Sequence, residues 1–326
     1  MTNSRFVLPS ICSVLDPASL VSVIESAFDL GTIHACTFVR YGLNHTYVLR
    51  TSQEAYILRI YTHGWRTPAE IQYELDLITF LRRRGLPVAA PVPNRQDSYQ
   101  LTVPAPEGVR QAVVFTYAEG EPRDYADIAA REFGRVVGEM HQALAQFVSG
   151  LPRTPLDLDH LLNEPLAHLQ PLLTQLPDAQ RYLHDLAAKI REQLVALSAG
   201  GLKWQACHGD LHLGNVHFDR QGAPVFFDFD CCAPGWRAYD LAVFRWASYL
   251  HGKQEAVWTE FLAGYQAVQA LADAEMQAIP WLVAARHFWL LGLHAEDRFH
   301  IGQPGPHEIN RGIAFLRGWE QSALAV

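Results

Sequence analysis

The sequence predicts an α+β fold, with a sheet-rich first third followed by a mainly helical remainder. Residues 33–40, 46–51 and 55–61 are rich in β-branched and aromatic residues and are joined by short polar connections, a pattern typical of antiparallel strands. Residues 68–84 instead repeat apolar residues at helical spacing, after a proline and before a glycine. From about Tyr125 onward the helical spacing dominates.

A further strand pair is predicted over residues 99–103 and 111–115. The second of these strands runs into Gly120, which predicts a hinge leaving the first region of the chain. The apolar spacing of the later chain then predicts a series of helices. They cover residues 127–147, 160–176, 178–197, 241–249, 256–271, 279–293 and 309–324.

One segment of the second half departs from the helical pattern. Residues 208–214 form a turn-rich loop, and residues 216–218 and 224–229 read as two strands around a turn. A hairpin of this kind brings Asn215, at the start of one strand, beside Asp228, at the end of the other.

The polar residues of this segment suit phosphoryl transfer. The transition state of that reaction is loose and highly charged, so the protein contributes positioning and electrostatic stabilisation. Asp210 would orient the substrate hydroxyl and accept its proton. The amide oxygen of Asn215 and the carboxylate of Asp228 are hard ligands that suit Mg²⁺, with phosphate and water at its other positions.

At these residues the chain resembles the aminoglycoside phosphotransferase, choline kinase and homoserine kinase superfamily. The motifs are HGDLHLGN at 208–215, FFDFD at 226–230 and GWRAYDLA at 235–242. The resemblance implies a bilobal protein-kinase-like fold. It places a nucleotide-binding N-terminal lobe at residues 1–117 and a catalytic and substrate-binding lobe at residues 118–326.

The same resemblance implies roles for individual residues. Asp210 corresponds to the catalytic base, and Asn215 and Asp228 correspond to the magnesium ligands. Asp240 matches an aspartate that braces the catalytic loop from a helix, and His208 is expected to brace the same loop.

Nucleotide-binding residues are implied in the first lobe. Arg59, in the third strand, falls where the family carries the cation that contacts the α- and β-phosphates of ATP, and Glu74 lies where its helical partner is expected. Glu70 is the rival partner, and an ordinary strand arginine is the alternative for Arg59. Asn44 lies where the family has an asparagine in the phosphate-covering loop, although a plain hairpin turn accounts for this segment equally well.

The connection between the lobes is expected to offer backbone groups to adenine. The predicted strand ending near Phe115 continues into Tyr117 and Ala118 before the glycine hinge. By the resemblance, these three residues are the candidates for adenine contacts.

Composition is typical of a cytoplasmic enzyme. The chain of 326 residues is 49% hydrophobic, which suffices for two lobes with cores of their own. It has no apolar stretch of membrane-spanning length, and its five cysteines form no CxxC pairs. The net charge of −8 disfavours nucleic acid and anionic membranes as partners, and is compatible with a cationic substrate.

The late helices are expected to select the phosphate acceptor. Their aromatic and carboxylate side chains suit an amine or quaternary ammonium through cation–π contacts, although most aromatic residues of such helices serve packing. The candidates are Trp246, Tyr249, Trp258, Trp281, His287, Trp289, His294, Glu296, Asp297 and Arg298.

The sequence therefore predicts an ATP- and magnesium-dependent phosphotransferase acting on the hydroxyl of a small molecule, such as an amino alcohol, a homoserine-like compound or an aminoglycoside-like sugar. Two alternatives remain. A protein Ser/Thr kinase of the bacterial stress-response type shares a similar HGD-x-H-x-GN segment, although Tyr239 and Asp240 follow Asp228 too closely for a long activation segment. A nucleotide-binding regulator with little catalysis is the other.

Overall fold

The structure is a computed structural model that describes residues 10–252, 254–296 and 305–324. Its longer helices in this part of the chain are α1 (Pro17–Ala27), α2 (Pro68–Arg83), α3 (Ala130–Leu144), α4 (Glu164–Leu173), α5 (Pro177–Ser198), α6 (Arg237–Leu250), α7 (Gln254–Val268), α8 (Asp273–Ala295) and α9 (Pro306–Trp319). The strands are β1 (Ile33–Tyr41), β2 (Asn44–Thr51), β3 (Ala55–Tyr61), β4 (Gln100–Ala105), β5 (Gly108–Thr116), β6 (Trp204–Cys207), β7 (Val216–Phe218), β8 (Pro224–Phe226) and β9 (Ala233–Trp236).

The described chain divides into two compact units. One consists of the residues up to Leu75 together with Ala89–Tyr117. The other consists of Asp76–Val88 and the described residues from Ala118 onward.

The first unit is built on an antiparallel sheet of five strands in the order β1-β2-β3-β5-β4. Strand β3 is central, and Arg59 within it pairs with Thr46 of β2 on one side and Val113 of β5 on the other. The sheet therefore fixes the backbone of Arg59 from both sides.

The core of this unit lies between the sheet and α1. Leu20 and Ile24 of α1, and Phe28 just after it, belong to the same buried cluster as Tyr47 and Leu58 of the strands. Burial of each such side chain contributes about 1.5–3 kcal/mol to folding. Helix α1 was not predicted, although Asp16, whose carboxylate accepts a hydrogen bond from the Ser19 amide at 2.8 Å, is a recognisable N-cap.

The second unit is mainly helical and is organised around α8. Helix α3 packs on α7, while α4, α5 and α6 all pack on α8. A helix surrounded on several sides is apolar around most of its circumference, which explains the apolar sequence of α8. The short antiparallel pairs β6–β9 and β7–β8 complete the unit.

The structure differs from the sequence prediction at three places between residues 224 and 241. Strand β8 ends at Phe226 rather than continuing to residue 229, because Asp228 adopts a left-handed conformation with φ of 63°. Strand β9 was not predicted, since it contains Pro234 and Gly235 and pairs with a strand about thirty residues earlier. Helix α6 begins at Arg237, four residues before the predicted start.

The helices of the described residues include none that is long and apolar enough to cross a membrane.

The crossing of α3 and α7 requires glycine at the contact. A Cβ atom at Gly134 would lie 1.9 Å from the carbonyl oxygen of Phe261, and one at Gly264 would lie 1.8 Å from that of Arg131. Neither backbone can move away without separating the helices, so the close approach depends on both residues.

We therefore expect Gly134→Ala to lower the free energy of unfolding by about 2–3 kcal/mol, because the clash with backbone exceeds the gain of about 1 kcal/mol from the better helix propensity of alanine. Urea denaturation measures this change. Gly318→Ala is the matched control, since Gly318 lies in α9 and a Cβ there meets nothing within 4 Å. Equal stability of the two variants would contradict this packing account.

Candidate active site

The loop after β6 is held by the buried carboxylate of Asp240, in the first turn of α6. Oδ2 of Asp240 accepts a hydrogen bond from the His208 amide at 2.7 Å, and Oδ1 accepts one from the Gly209 amide at 2.8 Å. The ring of His141 also contacts Oδ2, through Nε2 at 3.1 Å. Asp240 is completely buried. The structure thus gives Asp240 the bracing contacts expected from the sequence.

His208 and Gly209 fix the shape of this loop. Nε2 of His208 donates to the carbonyl oxygen of Phe227 at 3.2 Å, and Nδ1 accepts from the Asp210 amide at 3.3 Å. Burial lowers the pKa of His208, which favours the neutral ring that these two bonds require. Gly209 has a φ of 81°, and a Cβ there would lie 2.0 Å from the carbonyl oxygen of Cys231. Only glycine fits that position.

Asp210 stands at the end of the braced loop with a fifth of its side chain exposed. Nδ2 of Asn215 donates to its Oδ2 at 3.0 Å and to its carbonyl oxygen at 2.9 Å. Oδ2 also lies 3.5 Å from Nε2 of His212, whose Nδ1 accepts from the Gly214 amide. The other oxygen, Oδ1, is paired with the guanidinium of Arg286.

These contacts determine the charge of Asp210. Burial raises the pKa of its carboxyl, but the Arg286 guanidinium and His212 lower it by more, so the pKa lies well below its ordinary value. Asp210 is therefore a carboxylate throughout the physiological pH range, able to accept further hydrogen bonds on its remaining lone pairs.

The hairpin β7–β8 brings the backbone of Asn215 next to Phe227, the residue before Asp228. The shared role of Asn215 and Asp228 as metal ligands stays a prediction. The amide of Phe227, next to Asp228, donates to the carbonyl oxygen of Asn215 at 3.0 Å. Because Nδ2 of Asn215 is bound to Asp210, its side-chain oxygen is the atom that it can offer to a cation. The left-handed backbone of Asp228, unusual for a residue other than glycine, turns the chain out of β8 at this point.

The segment after Asp228 is anchored by a buried arginine. Nε of Arg153 donates to the carbonyl oxygen of Cys232 at 2.6 Å, and its Nη2 donates to that of Asp230. Asp230 and both cysteines are buried. These residues therefore form part of the packed wall behind the loop.

In the first unit the structure pairs Arg59 with Glu74, the predicted partner. Nη1 of Arg59 lies 2.6 Å from Oε1 of Glu74, and the Tyr61 hydroxyl donates to Oε2 at 2.8 Å. The guanidinium carbon of Arg59 is 5.0 Å from the ring centroid of Phe115. Glu70 instead caps α2, accepting from the Thr67 amide at 2.9 Å. The phosphate-binding role of Arg59 stays a prediction.

Asn44 begins β2, so the connection from β1 is shorter than predicted. Its Oδ1 accepts from the Thr62 amide at 3.3 Å, which ties this hairpin to the end of β3. This contact fixes the orientation of the Asn44 side chain, and its predicted contact with phosphate stays a prediction.

The adenine-contact candidates differ in the backbone groups that remain available. Phe115 is paired with Ile57 in the sheet and forms a bridge with Pro91. The carbonyl oxygen of Ala118 is 2.7 Å from Nδ1 of His217. The contacts of Phe115, Tyr117 and Ala118 with adenine stay predictions, and for Ala118 the contact would fall to the amide rather than the carbonyl.

Arg286 is the residue that the sequence analysis missed. It is 3% exposed and pairs with Asp210 from α8, 76 residues further along the chain. One signal could have identified it, because Arg286 is the sole Asp, Glu, Lys or Arg within residues 278–293. A lone charge inside an apolar helix requires a partner.

Two of the acceptor candidates surround Arg286. Its guanidinium carbon lies 5.3 Å from the ring centroid of Trp246 and 4.7 Å from that of Trp289. Tyr249 packs on Trp319, and Trp258 stacks on Phe261, so these two serve the helical core. Asp297 and Arg298 lie outside the described residues.

A cavity of about 530 Å³ adjoins this cluster. Its lining includes His212, which contacts Asp210, and Trp246, which contacts Arg286, together with Arg123, Tyr125 and His251. Cavities of this size commonly bind small molecules.

We expect Asp240→Asn to lower the free energy of unfolding by about 2–4 kcal/mol, because an amide has one acceptor oxygen and leaves a buried loop N–H without its partner. Chemical denaturation measures the loss. Asp178→Asn, at a side chain 92% exposed on α5, is the control and should change stability little. An Asp240→Asn variant as stable as the wild type would contradict the claim that the Asp240 carboxylate stabilises this loop.

Comparison with known proteins gives the wider relationship. The family model described as "Phosphotransferase enzyme family" matches residues 37–279. An uncharacterized protein of Deinococcus radiodurans is 37% identical over 319 residues, covering 96% of this chain and 92% of the relative. A homoserine kinase of Paramagnetospirillum magneticum is 27% identical over 314 residues, covering 89% of this chain and 91% of that one.

Among solved structures, the amicoumacin kinase hAmiN, in complex with AMP-PNP, Ca²⁺ and Ami, superimposes with a TM-score of 0.76. The alignment has 22% identity and covers 95% of this chain and 94% of the other. This likeness confirms the predicted α+β protein-kinase-like fold. The family match over most of the chain shows that the protein belongs to the phosphotransferase enzyme family.

Proposed function

We propose that this protein transfers the γ-phosphate of ATP, with Mg²⁺, to a hydroxyl group of a small molecule. The observation that carries the proposal is the contact between Asn215 and the Asp210 carboxylate on a loop braced by Asp240. This contact holds the Asp210 carboxylate, which can receive a hydroxyl proton, next to Asn215, whose side-chain oxygen can bind a cation. Phosphoryl transfer requires both groups at one site.

Asp210 acts on the acceptor hydroxyl in this proposal. Its low pKa makes it a weak base, which suits a loose transition state, since little proton transfer is needed before the phosphoryl group moves. The carboxylate orients the hydroxyl by accepting its hydrogen bond and takes the proton as the new O–P bond forms and the bond to the ADP leaving oxygen breaks.

The residues present fit a magnesium ion. Asn215 and Asp228 offer one amide oxygen and one carboxylate, which are hard oxygen donors. Within the described residues no group of three or more His, Cys, Asp and Glu side chains is placed to hold a metal. A site with few protein ligands suits Mg²⁺ bound largely by phosphate and water, where it neutralises charge on the phosphates.

Arg59 binds the nucleotide phosphates in this proposal, and Glu74 orients it. An arginine paired with a buried carboxylate is held in one orientation and keeps other N–H groups for phosphate oxygens. Tyr117 and the amide of Ala118 supply the adenine contacts, and Asn44 lies near the phosphates.

The nature of the acceptor rests on two further points. Relatives and structural neighbours are named as homoserine kinase and amicoumacin kinase, which are named for small-molecule acceptors. The segment from Asp228 to the start of α6 at Arg237 is short, which leaves little chain for an activation segment of a protein kinase. The transfer assays distinguish this function from the two alternatives, a protein Ser/Thr kinase and a nucleotide-binding regulator.

We expect Asp210→Asn to reduce the rate of phosphate transfer by about 10²–10⁴-fold while leaving the Kd for Mg·ATP nearly unchanged, because the base is lost and the metal ligands remain. Asp228→Ala should instead weaken Mg²⁺-dependent ATP binding by at least about tenfold. Calorimetry with a non-hydrolysable ATP analogue and a single-turnover transfer assay separate the two effects. Asp178→Ala is the exposed control.

Equal and modest effects of the two substitutions would contradict the roles of Asp210 and Asp228. Loss of ATP binding in Asp210→Asn would place Asp210 in nucleotide binding instead.

We expect Arg59→Ala to raise the Kd for Mg·ATP by about tenfold or more, because a charge-assisted contact to phosphate is lost, and Arg59→Lys to restore part of the affinity. Arg50→Ala, at an exposed residue of the neighbouring strand β2, is the control. Circular dichroism checks that the variants are folded. An unchanged Kd in folded Arg59→Ala would leave Arg59 with a structural role alone.

A further inference from the structure

Arg286 carries more hydrogen-bonding capacity than its contacts use. Its Nη2 is bound to Asp210, but its buried Nε and Nη1 have no hydrogen-bond partner in the part of the chain that the structure describes. The Tyr239 hydroxyl also interacts with this guanidinium. A guanidinium has five N–H groups, and the three on Nε and Nη1 form no hydrogen bond with the described residues. Buried N–H groups of a charged side chain are rarely left in this state, and a bound water or a ligand commonly completes them.

The surroundings of Arg286 stabilise its charge without using those N–H groups. The rings of Trp246 and Trp289 lie against the guanidinium, and cation–π attraction acts through the ring face. The two indoles are themselves fixed, because Nε1 of Trp246 donates to Nδ1 of His287 at 3.2 Å and Nε1 of Trp289 donates to Nε2 of His160 at 3.0 Å. Arg286 is therefore held in one position, and the N–H groups on its Nε and Nη1 remain available to a ligand.

Arg286 lies beside the residue that would bind the hydroxyl of the phosphate acceptor. In the proposed function, the acceptor hydroxyl binds Asp210, and the same carboxylate touches Arg286. The N–H groups on Nε and Nη1 belong to the same planar guanidinium as Nη2, so they lie close to the carboxylate that binds the acceptor hydroxyl in this proposal. The cavity is lined by His212, which contacts Asp210, and by Trp246, which contacts Arg286, so the body of a small molecule could occupy it while its reacting end approaches this pair.

We infer that the phosphate acceptor is an alcohol that also carries a carboxylate, and that Arg286 binds this carboxylate. This inference rests on the proposed function. Arginine pairs with a carboxylate through charge-assisted hydrogen bonds. These bonds are stronger than those that an arginine forms with a neutral group. An acceptor whose only charged group is an ammonium would meet a guanidinium here, and that guanidinium already occupies one face of both Trp246 and Trp289.

The test compares acceptors that differ only in this charge. Short hydroxy acids, including L-homoserine, glycerate and 4-hydroxybutyrate, are each assayed beside the corresponding methyl ester, with 3-aminopropanol and choline as cationic alcohols. Binding is measured by calorimetry with a non-hydrolysable ATP analogue and Mg²⁺, and transfer is measured with radiolabelled ATP. We expect at least one acid to bind and be phosphorylated with kcat/KM about 100-fold above that of its ester.

Variants then identify the residue responsible. Arg286→Met should reduce the acid-to-ester ratio by about tenfold or more, whereas Arg286→Lys should keep part of it. Arg181→Met, at an arginine whose side chain is 74% exposed on α5, should keep the wild-type ratio. Because the ratio is taken within one variant, a general loss of activity from disturbing Asp210 cancels. Should Arg286→Met fail to fold, the wild-type ratio and the Arg286→Lys ratio still decide.

The outcomes separate this inference from the proposed function. Preference of the wild type for esters or cationic alcohols, absence of binding by every acid, or an unchanged ratio in folded Arg286→Met would overturn the carboxylate inference and leave phosphate transfer standing. Acids that bind through Arg286 without transfer of label to any alcohol would uphold the carboxylate site and overturn the proposed function.

Discussion

The active-site region depends on the buried carboxylate of Asp240. A fully buried charge is unfavourable unless hydrogen bonds surround it, and here the amides of His208 and Gly209 and the ring of His141 supply them. The loop therefore has one conformation in which Asp240 is satisfied. That conformation places Asp210 beside Asn215, so a structural requirement of the helical unit positions the reacting group.

The second determinant is the balance of charge at Asp210. Its carboxylate is shared among Asn215, His212 and Arg286, each from a different element or turn. Arg286 and His212 keep the pKa of Asp210 low, and the three contacts together limit how far the carboxylate can move. A rigid, ionised and weakly basic group suits a reaction in which orientation contributes more than proton abstraction. Nε and Nη1 of Arg286 form no hydrogen bond with the described residues. In our inference, the carboxylate of the phosphate acceptor binds there and adds its charge to that of Asp210.

The sequence predicted the local part of this arrangement well. Asp210, Asn215 and Asp228 lie within nineteen residues on a loop and a hairpin, so turn and strand signals determine their proximity. The family resemblance implied the pairing of Arg59 with Glu74, which a strand and the helix after it bring together. Such features depend on short-range geometry, which residue patterns carry directly.

What the sequence did not provide is long-range packing. The contact of Arg286 with Asp210 joins residues 76 positions apart, and β9 is a strand only because β6 is beside it. The close crossing of α3 and α7 likewise depends on glycines whose neighbours come from a distant helix. No periodicity encodes these pairings, because each joins elements that are distant in the sequence and meet only in the folded chain.

The measurement that tests the central claim most directly is magnesium-dependent transfer of radiolabel from [γ-³²P]ATP, with the products separated into small molecules and protein. The small-molecule panel contains hydroxy acids, amino alcohols and aminoglycosides, and the protein arm contains generic Ser/Thr substrates. The account predicts label on a small-molecule hydroxyl. Label on protein alone, or magnesium-dependent ATP binding without transfer to any acceptor, would contradict it.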